Sequence, residues 1–251
     1  MRTVELAPSR TQQGLSEAAS LPFVLALHLA PGLLIFAFYR LASPIFVAAS
    51  LPPKFALLAG FALAGLPLQV YLLSRATGGH SPRAIWALLP FRERLPRWQF
   101  ALLIALLFLW AVLVTSLLGP STAAIKAFLA QHAPFLVTST SGTQSARSIV
   151  LGMLVFKLVV DGLITPVVEE SYFRGLLLPS MSRLGAWGPL ANAVLFTVGH
   201  FWQPENYPAI FCYSLALAYV AWWKRNFLMG LVTHALLNTL GTLAALAALL
   251  T

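Results

Sequence analysis

Apolar residues in this chain gather in long runs separated by short polar or proline-marked stretches. Most runs come near or exceed the ~18–20 residues a helix needs to cross a hydrocarbon core. They neither alternate in polarity nor break into short buried strands, so helices are favoured over a barrel. Spans are predicted at about Leu21–Tyr39, Phe55–Leu73, Trp98–Leu118, Ser148–Val168 continuing into the helix that follows it, Gly188–Trp202, Tyr207–Trp223 and Phe227–Leu250. Ala42–Pro53 is also apolar but is interrupted by Pro44, Pro52 and Pro53. As a re-entrant or interfacial piece it would raise the count from seven helices to eight, so a bundle of seven or eight is expected.

Composition makes the membrane setting firm. The chain is 59% hydrophobic and 9% charged, against roughly 25% charged residues in soluble domains. Its formal charge of +9 does not point to nucleic acid, because the basic residues lie between apolar runs and form no polar face interleaved with aromatics. They read as topology signals instead. Ser74–Arg97 carries five arginines against the single Glu93, so it is expected in the cytoplasm. Counting spans then puts the N-terminus and Lys224–Arg225 on that same side and Gly119–Arg147 outside, with a short surface helix near Ala123–His132. The lone Cys212 excludes an intrachain disulfide framework and any cysteine cluster for metal. Met1–Ser20 reads as a polar tail with no clear cleavage site, so the first span is expected to be retained. The organisation expected is one membrane domain: tail 1–20, N-terminal helices and loops 21–147, and C-terminal helices 148–251.

Against this apolar background, ionisable groups inside spans stand out, since each costs ~2.5–3.5 kcal/mol at a helix centre on insertion scales. In the fourth span Lys157, Asp161, Thr165 and Glu169 recur every four residues and so share one stripe facing the bundle interior. Lys157 and Asp161 have the spacing of a neutralising pair. Glu170 points ~100° away from Glu169 and can reach Arg174 one turn later. Pro166 removes a backbone donor just before the paired glutamates. Asn192, Phe196 and His200 form a second stripe, and Gly230, His234, Asn238 and Thr242 a third. Converging in a polar cavity, these groups supply what is needed to activate a water and stabilise an oxyanion. His28, His80 and His132 are expected to be hydrogen-bonded core residues without chemistry. His200 lies near the outer end of its span and His234 nearer the inner end of its own, so tilt or a short fifth helix must bring them level.

Three segments in order, VVEESYFRG (Val167–Gly175), FTVGH (Phe196–His200) and HALLN (His234–Asn238), resemble the Glu-Glu-x-x-x-Arg, Phe-x-x-x-His and His-x-x-x-Asn motifs of the CPBP intramembrane proteases. That family includes the CAAX prenyl endopeptidases and bacteriocin-processing or bacteriocin-immunity proteins. The likeness covers about Ser148–Thr242, and the preceding residues match only as membrane spans. It implies an all-α polytopic bundle acting as a glutamic-type endopeptidase on a membrane-associated protein or peptide, with no nucleic acid partner and no cofactor. By that resemblance Glu169 and His200 hold and deprotonate the attacking water. His234 and Asn238 stabilise the oxyanion, and Glu170 with Arg174 braces the site. An Ala/Leu/Pro-rich composition suggests a bacterial inner membrane.

Three other readings compete. Two histidines and a glutamate could hold zinc with water in the fourth position, although His-Glu-x-x-His is absent. A non-catalytic scaffold or immunity protein could keep the fold. A small transporter could use the buried charges as a proton relay, though the inverted repeats common in transporters are not evident.

Overall fold

The computed structural model describes residues 21–138 and 145–251, and the expected tail Met1–Ser20 lies outside them. The described residues form nine helices and no sheet. These are α1 (Leu21–Ala48), α2 (Pro53–Thr77), α3 (Pro82–Leu88), α4 (Arg97–Leu117), α5 (Gly119–His132), α6 (Arg147–Ser180), α7 (Trp187–Val198), α8 (Tyr207–Lys224) and α9 (Leu228–Leu250). Five of them, α1, α2, α4, α6 and α9, are long and apolar enough to cross a membrane. Their outer faces are apolar too: α4 exposes Leu102, Leu106, Leu109, Leu113 and Leu117, as lipid contact requires and water would not tolerate. The protein is an integral membrane helical bundle.

The proline-marked segment Ala42–Pro53 is not a separate re-entrant piece. Helix α1 runs on through Pro31 and Pro44 to Ala48, and a turn with Ser50 at φ 59° leads to Pro53, the first residue of α2. A proline removes one ladder bond without ending a helix when another group takes the freed carbonyl. For Pro31 that carbonyl belongs to Leu27, and the Tyr172 hydroxyl of α6 donates to it at 2.8 Å.

Two contacts test which ends of the bundle lie together. The loop before α4 is stitched to the α8–α9 corner: Phe227 N donates to Phe91 O at 2.9 Å, Glu93 N to Arg225 O at 3.0 Å, and Arg225 pairs with Glu93. At the other end α5 packs on the turn Pro204–Asn206, and Thr138 donates to the carbonyl of Trp202. These are the groupings expected for the two membrane sides. The main core, including Tyr172, Phe173, Leu177, Phe196 and Phe227, packs the second half of α6 against α7 and the α8–α9 corner. It holds the glutamate-bearing turns rigidly.

Candidate active site

Helix α6 is wider than an α-helix at two places, Leu158–Ile164 and Ser171–Leu177, which flank the turn Thr165–Glu170. Such widenings leave carbonyls without their usual donors, and Pro166 removes one more. Helix α9 supplies the replacements. Asn238 Nδ2 donates to Asp161 O at 2.9 Å, and Thr239 Oγ1 to Gly162 O at 3.4 Å. Gly162 allows the approach, since a Cβ there would lie 3.1 Å from Thr239 Oγ1. The widened stretch before the glutamates is therefore held by the helix carrying His234 and Asn238.

Glu170 is fully buried and serves as a shared acceptor. Its Oε1 receives Arg174 Nη1 and His234 Nδ1, each at 3.2 Å. The second oxygen, Oε2, has no partner among the described residues. Gly230 leaves room for it, because a Cβ at that position would come within 2.9 Å of Oε2. Arg174 is also fully buried, and its guanidinium carbon lies 4.0 Å from the centre of the Phe196 ring. Phe196 in turn meets His200 edge-on at 4.6 Å. The phenylalanine four residues before His200 thus links the arginine to the histidine through ring contacts.

His200 follows the last turn of α7, and its Nδ1 donates to Phe196 O at 2.7 Å. That bond fixes the tautomer and leaves the Nε2 lone pair available. Helix α7 has 12 residues and reaches only ~18 Å, well short of a ~30 Å hydrocarbon core. The short α7 is one of the two ways expected to bring His200 level with His234. Gly32 of α1 lets the turn close, since a Cβ there would lie 1.9 Å from Gly199 O.

Glu169, His200, His234 and Asn238 all line one cavity of about 580 Å³, with Lys157, Asp161 and Thr165 further along it. The stripe expected from Lys157 to Glu169 does face inward together. Lys157 pairs with Asp161 and also donates to Thr242 Oγ1 at 3.1 Å. Glu169 has no hydrogen-bond partner among the described residues, and its side chain is open to the cavity. Glu170 and Arg174 lie behind that wall. Tyr213 and Glu205 also line the cavity; neither lies on one of the three polar stripes, so periodicity gives no signal for them. Asn192 donates to Phe173 O at 3.0 Å and contacts His28 Nε2 at 3.3 Å. His28 is thus a hydrogen-bonded core residue, whereas His80 and His132 are exposed, so the core expectation fails for those two. Among the described residues, no three His, Cys, Asp or Glu side chains are grouped to hold a metal ion.

Residues 151–240 match the family model described as type II CAAX prenyl endopeptidase Rce1-like. No curated protein and no solved structure matches the chain. The family match supports a CAAX-type intramembrane protease and, with it, a membrane-associated protein substrate. All three motifs fall within the matched segment in the expected order, and their side chains meet at one cavity and the wall behind it, which supports the CPBP/CAAX protease family for residues 151–240.

Proposed function

We propose that the protein is an endopeptidase that hydrolyses a peptide bond of a membrane-associated substrate with a water activated by Glu169 and His200. The observation that carries this reading is the unpaired Glu169 carboxylate sharing a cavity with His200, whose fixed tautomer leaves Nε2 free. Glu169 and His200 Nε2 hold a water between them, and Glu169 takes its proton as the oxygen attacks the carbonyl carbon. Negative charge gathers on the carbonyl oxygen. His234, as an imidazolium with Nδ1–H on Glu170, presents Nε2–H to it. Asn238 is engaged with Asp161 O, but its second amide hydrogen faces only Asp161 Oδ1 at 3.5 Å and can turn toward the oxyanion. When the C–N bond breaks, Glu169 passes its proton to the leaving amine. Glu170 and Arg174 touch no reacting atom and hold His234 and the Phe196–His200 wall in place.

No metal has a part in these steps. The reading includes a bacterial inner membrane with the N-terminus and the Arg-rich loop in the cytoplasm, which the five arginines of Ser74–Arg97 support. A proteomic comparison of membrane fractions from cells making wild-type protein or Glu169→Gln tests the reading. Truncated membrane proteins should accumulate only with wild type, and identical fragment patterns would reject a protease dependent on Glu169.

A further inference from the structure

Tyr213, on α8, lines the cavity together with Glu169, His200, His234 and Asn238. Its ring packs against both the main core and the smaller core of Leu107, Leu217 and Met229, so it is held firmly. Its hydroxyl has no hydrogen-bond partner among the described residues. A tyrosine inside a protein normally gives its O–H to an acceptor. Tyr172, Tyr207 and Tyr219 do so here, donating to the carbonyls of Leu27, Val198 and Ala186 at 2.8, 3.0 and 2.9 Å. Tyr213 instead keeps its ring fixed and its donor free.

The depth of that donor matches the proposed chemistry. Helices α6 and α8 run in the same direction, with α7 returning between them. Glu169 and Tyr213 each stand eleven positions before the last residue of their helix, Ser180 and Lys224 respectively. The end of α6 packs on α8, so a rise of ~1.5 Å per residue brings the two side chains to about one level. Glu169 and Arg174 are among the charged groups within electrostatic reach of the hydroxyl. Asn238 offers a contrast, because one amide hydrogen is committed to Asp161 O and the other must turn away from Asp161 to reach an oxyanion. A hydroxyl without a partner gives up nothing on engaging one.

We infer that the Tyr213 hydroxyl is a further oxyanion donor, acting beside His234 on the carbonyl oxygen of the scissile bond. The inference rests on the protease reading and adds a catalytic residue to it. As the water oxygen bonds to the carbonyl carbon, the C=O π pair moves onto the carbonyl oxygen. Tyr213 O–H donates a hydrogen bond to that oxygen and keeps its proton. When the C–N bond breaks, the pair returns to re-form C=O, the amine leaves with the proton from Glu169, and Tyr213 is unchanged. Full charge sits on that oxygen only between these two events, so the bond is stronger to the tetrahedral intermediate than to the bound substrate.

Tyr213→Phe keeps the ring and removes only the O–H. The test compares it with wild type as full-length protein in neutral detergent. Its probes are a quenched-fluorescence peptide spanning a cleavage site found by the proteomic comparison, and the same peptide with a phosphinate, an uncleavable tetrahedral anion, at the scissile bond. The kcat should fall about 10²-fold, as for loss of one oxyanion donor, with KM and the thermal unfolding midpoint unchanged. Phosphinate affinity should fall with kcat, whereas Glu169→Gln should bind the intact peptide equally well with or without Tyr213→Phe. Unchanged kcat overturns the inference. So does equal weakening of the phosphinate and the intact peptide, which marks ground-state binding, or unfolding of the variant, which marks a role in packing. In each of those cases wild type still cleaves and the protease reading stands. If wild type cleaves no membrane protein, the protease reading fails and the inference falls with it.

Discussion

His234 and Glu170 meet at 3.2 Å, Nδ1 to Oε1, on an oxygen that also receives Arg174. The first and third motifs are therefore joined by a hydrogen bond, and the arginine of the first motif reaches the second through the Phe196 ring. Because all three side chains are buried, removing the guanidinium breaks a buried pair and leaves His234 as the one remaining partner of Glu170 among the described residues, and breaking such a pair typically costs ~3–5 kcal/mol. Arg174→Ala should lose most cleavage and stability. Arg174→Lys should keep part of both, since it restores charge but neither the planar face on Phe196 nor the guanidinium fork. Thermal unfolding and peptide cleavage measured together check this, and full activity in Arg174→Ala would show the pair to be dispensable.

Gly230 gives a sharper probe of Glu170. A methyl group there would press on Oε2, 2.9 Å away, while the helix itself would gain ~1 kcal/mol in propensity. Gly230→Ala should therefore cut activity at least tenfold with little loss of folded protein, because Glu170 must move and carry His234 with it. Unaltered kcat in this variant would mean that the placement of Glu170 has slack.

Much of this was legible in the sequence because membrane helices leave few places for polar groups. The four-residue recurrence from Lys157 to Glu169 and the spacing of Glu170 and Arg174 translated directly into one lined cavity and one ion pair. What periodicity could not show was where prolines are tolerated. Pro44 looked like a break, yet α1 continues through it. The hydroxyl of Tyr172, 145 positions from Leu27 in the chain, satisfies the carbonyl freed by Pro31, and a partner at that sequence distance leaves no local signal. Asn238 is the same case: the chain displays an amide on a polar stripe, and only the packing of α9 on α6 reveals that it caps Asp161. His80 and His132 are exposed because His80 sits in the turn between α2 and α3 and His132 ends α5, a helix with no buried residue, so apolar neighbours in the chain do not imply burial there.

Side-of-membrane reporters offer a test independent of catalysis. The loop around Arg92 is bonded to the Arg225–Phe227 corner, and α5 lies at the opposite end with the Pro204–Asn206 turn. A reporter fused at Arg92 should read cytoplasm and one at Gln131 the opposite side. Reversal of both would invert the bundle without altering the site. Two reporters on one side would contradict the fold.

Chelation separates the water-activating schemes. A reaction run by Glu169 and His200 should survive exhaustive chelation with verified zinc removal, whereas a zinc enzyme should lose activity and regain it on adding metal. In the same assay Glu169→Gln should fall ~10²–10⁴-fold, the usual worth of a general base. Metal-restorable loss in wild type would replace the mechanism proposed above.

The contact between Gly32 and Gly199 gives α1, outside the matched family segment, a direct part in placing His200. A Cβ at Gly32 would lie 1.9 Å from a backbone oxygen, which cannot swing aside as a side chain could, so the turn that carries His200 must shift. Misplacement of a catalytic group by ~1 Å can cost on the order of 10²-fold in rate. Gly32→Ala should therefore lower kcat by about that factor and leave KM nearly unchanged, because the rest of the cavity keeps its lining. Gly152→Ala and Gly241→Ala, where an added Cβ meets nothing within 4 Å, should behave as wild type. A general weakening of the fold would lower activity in any background, whereas positioning acts only through the histidine. In a His200→Ala background, Gly32→Ala should then cause no further loss, and additive losses in the double variant would show that Gly32 serves packing alone.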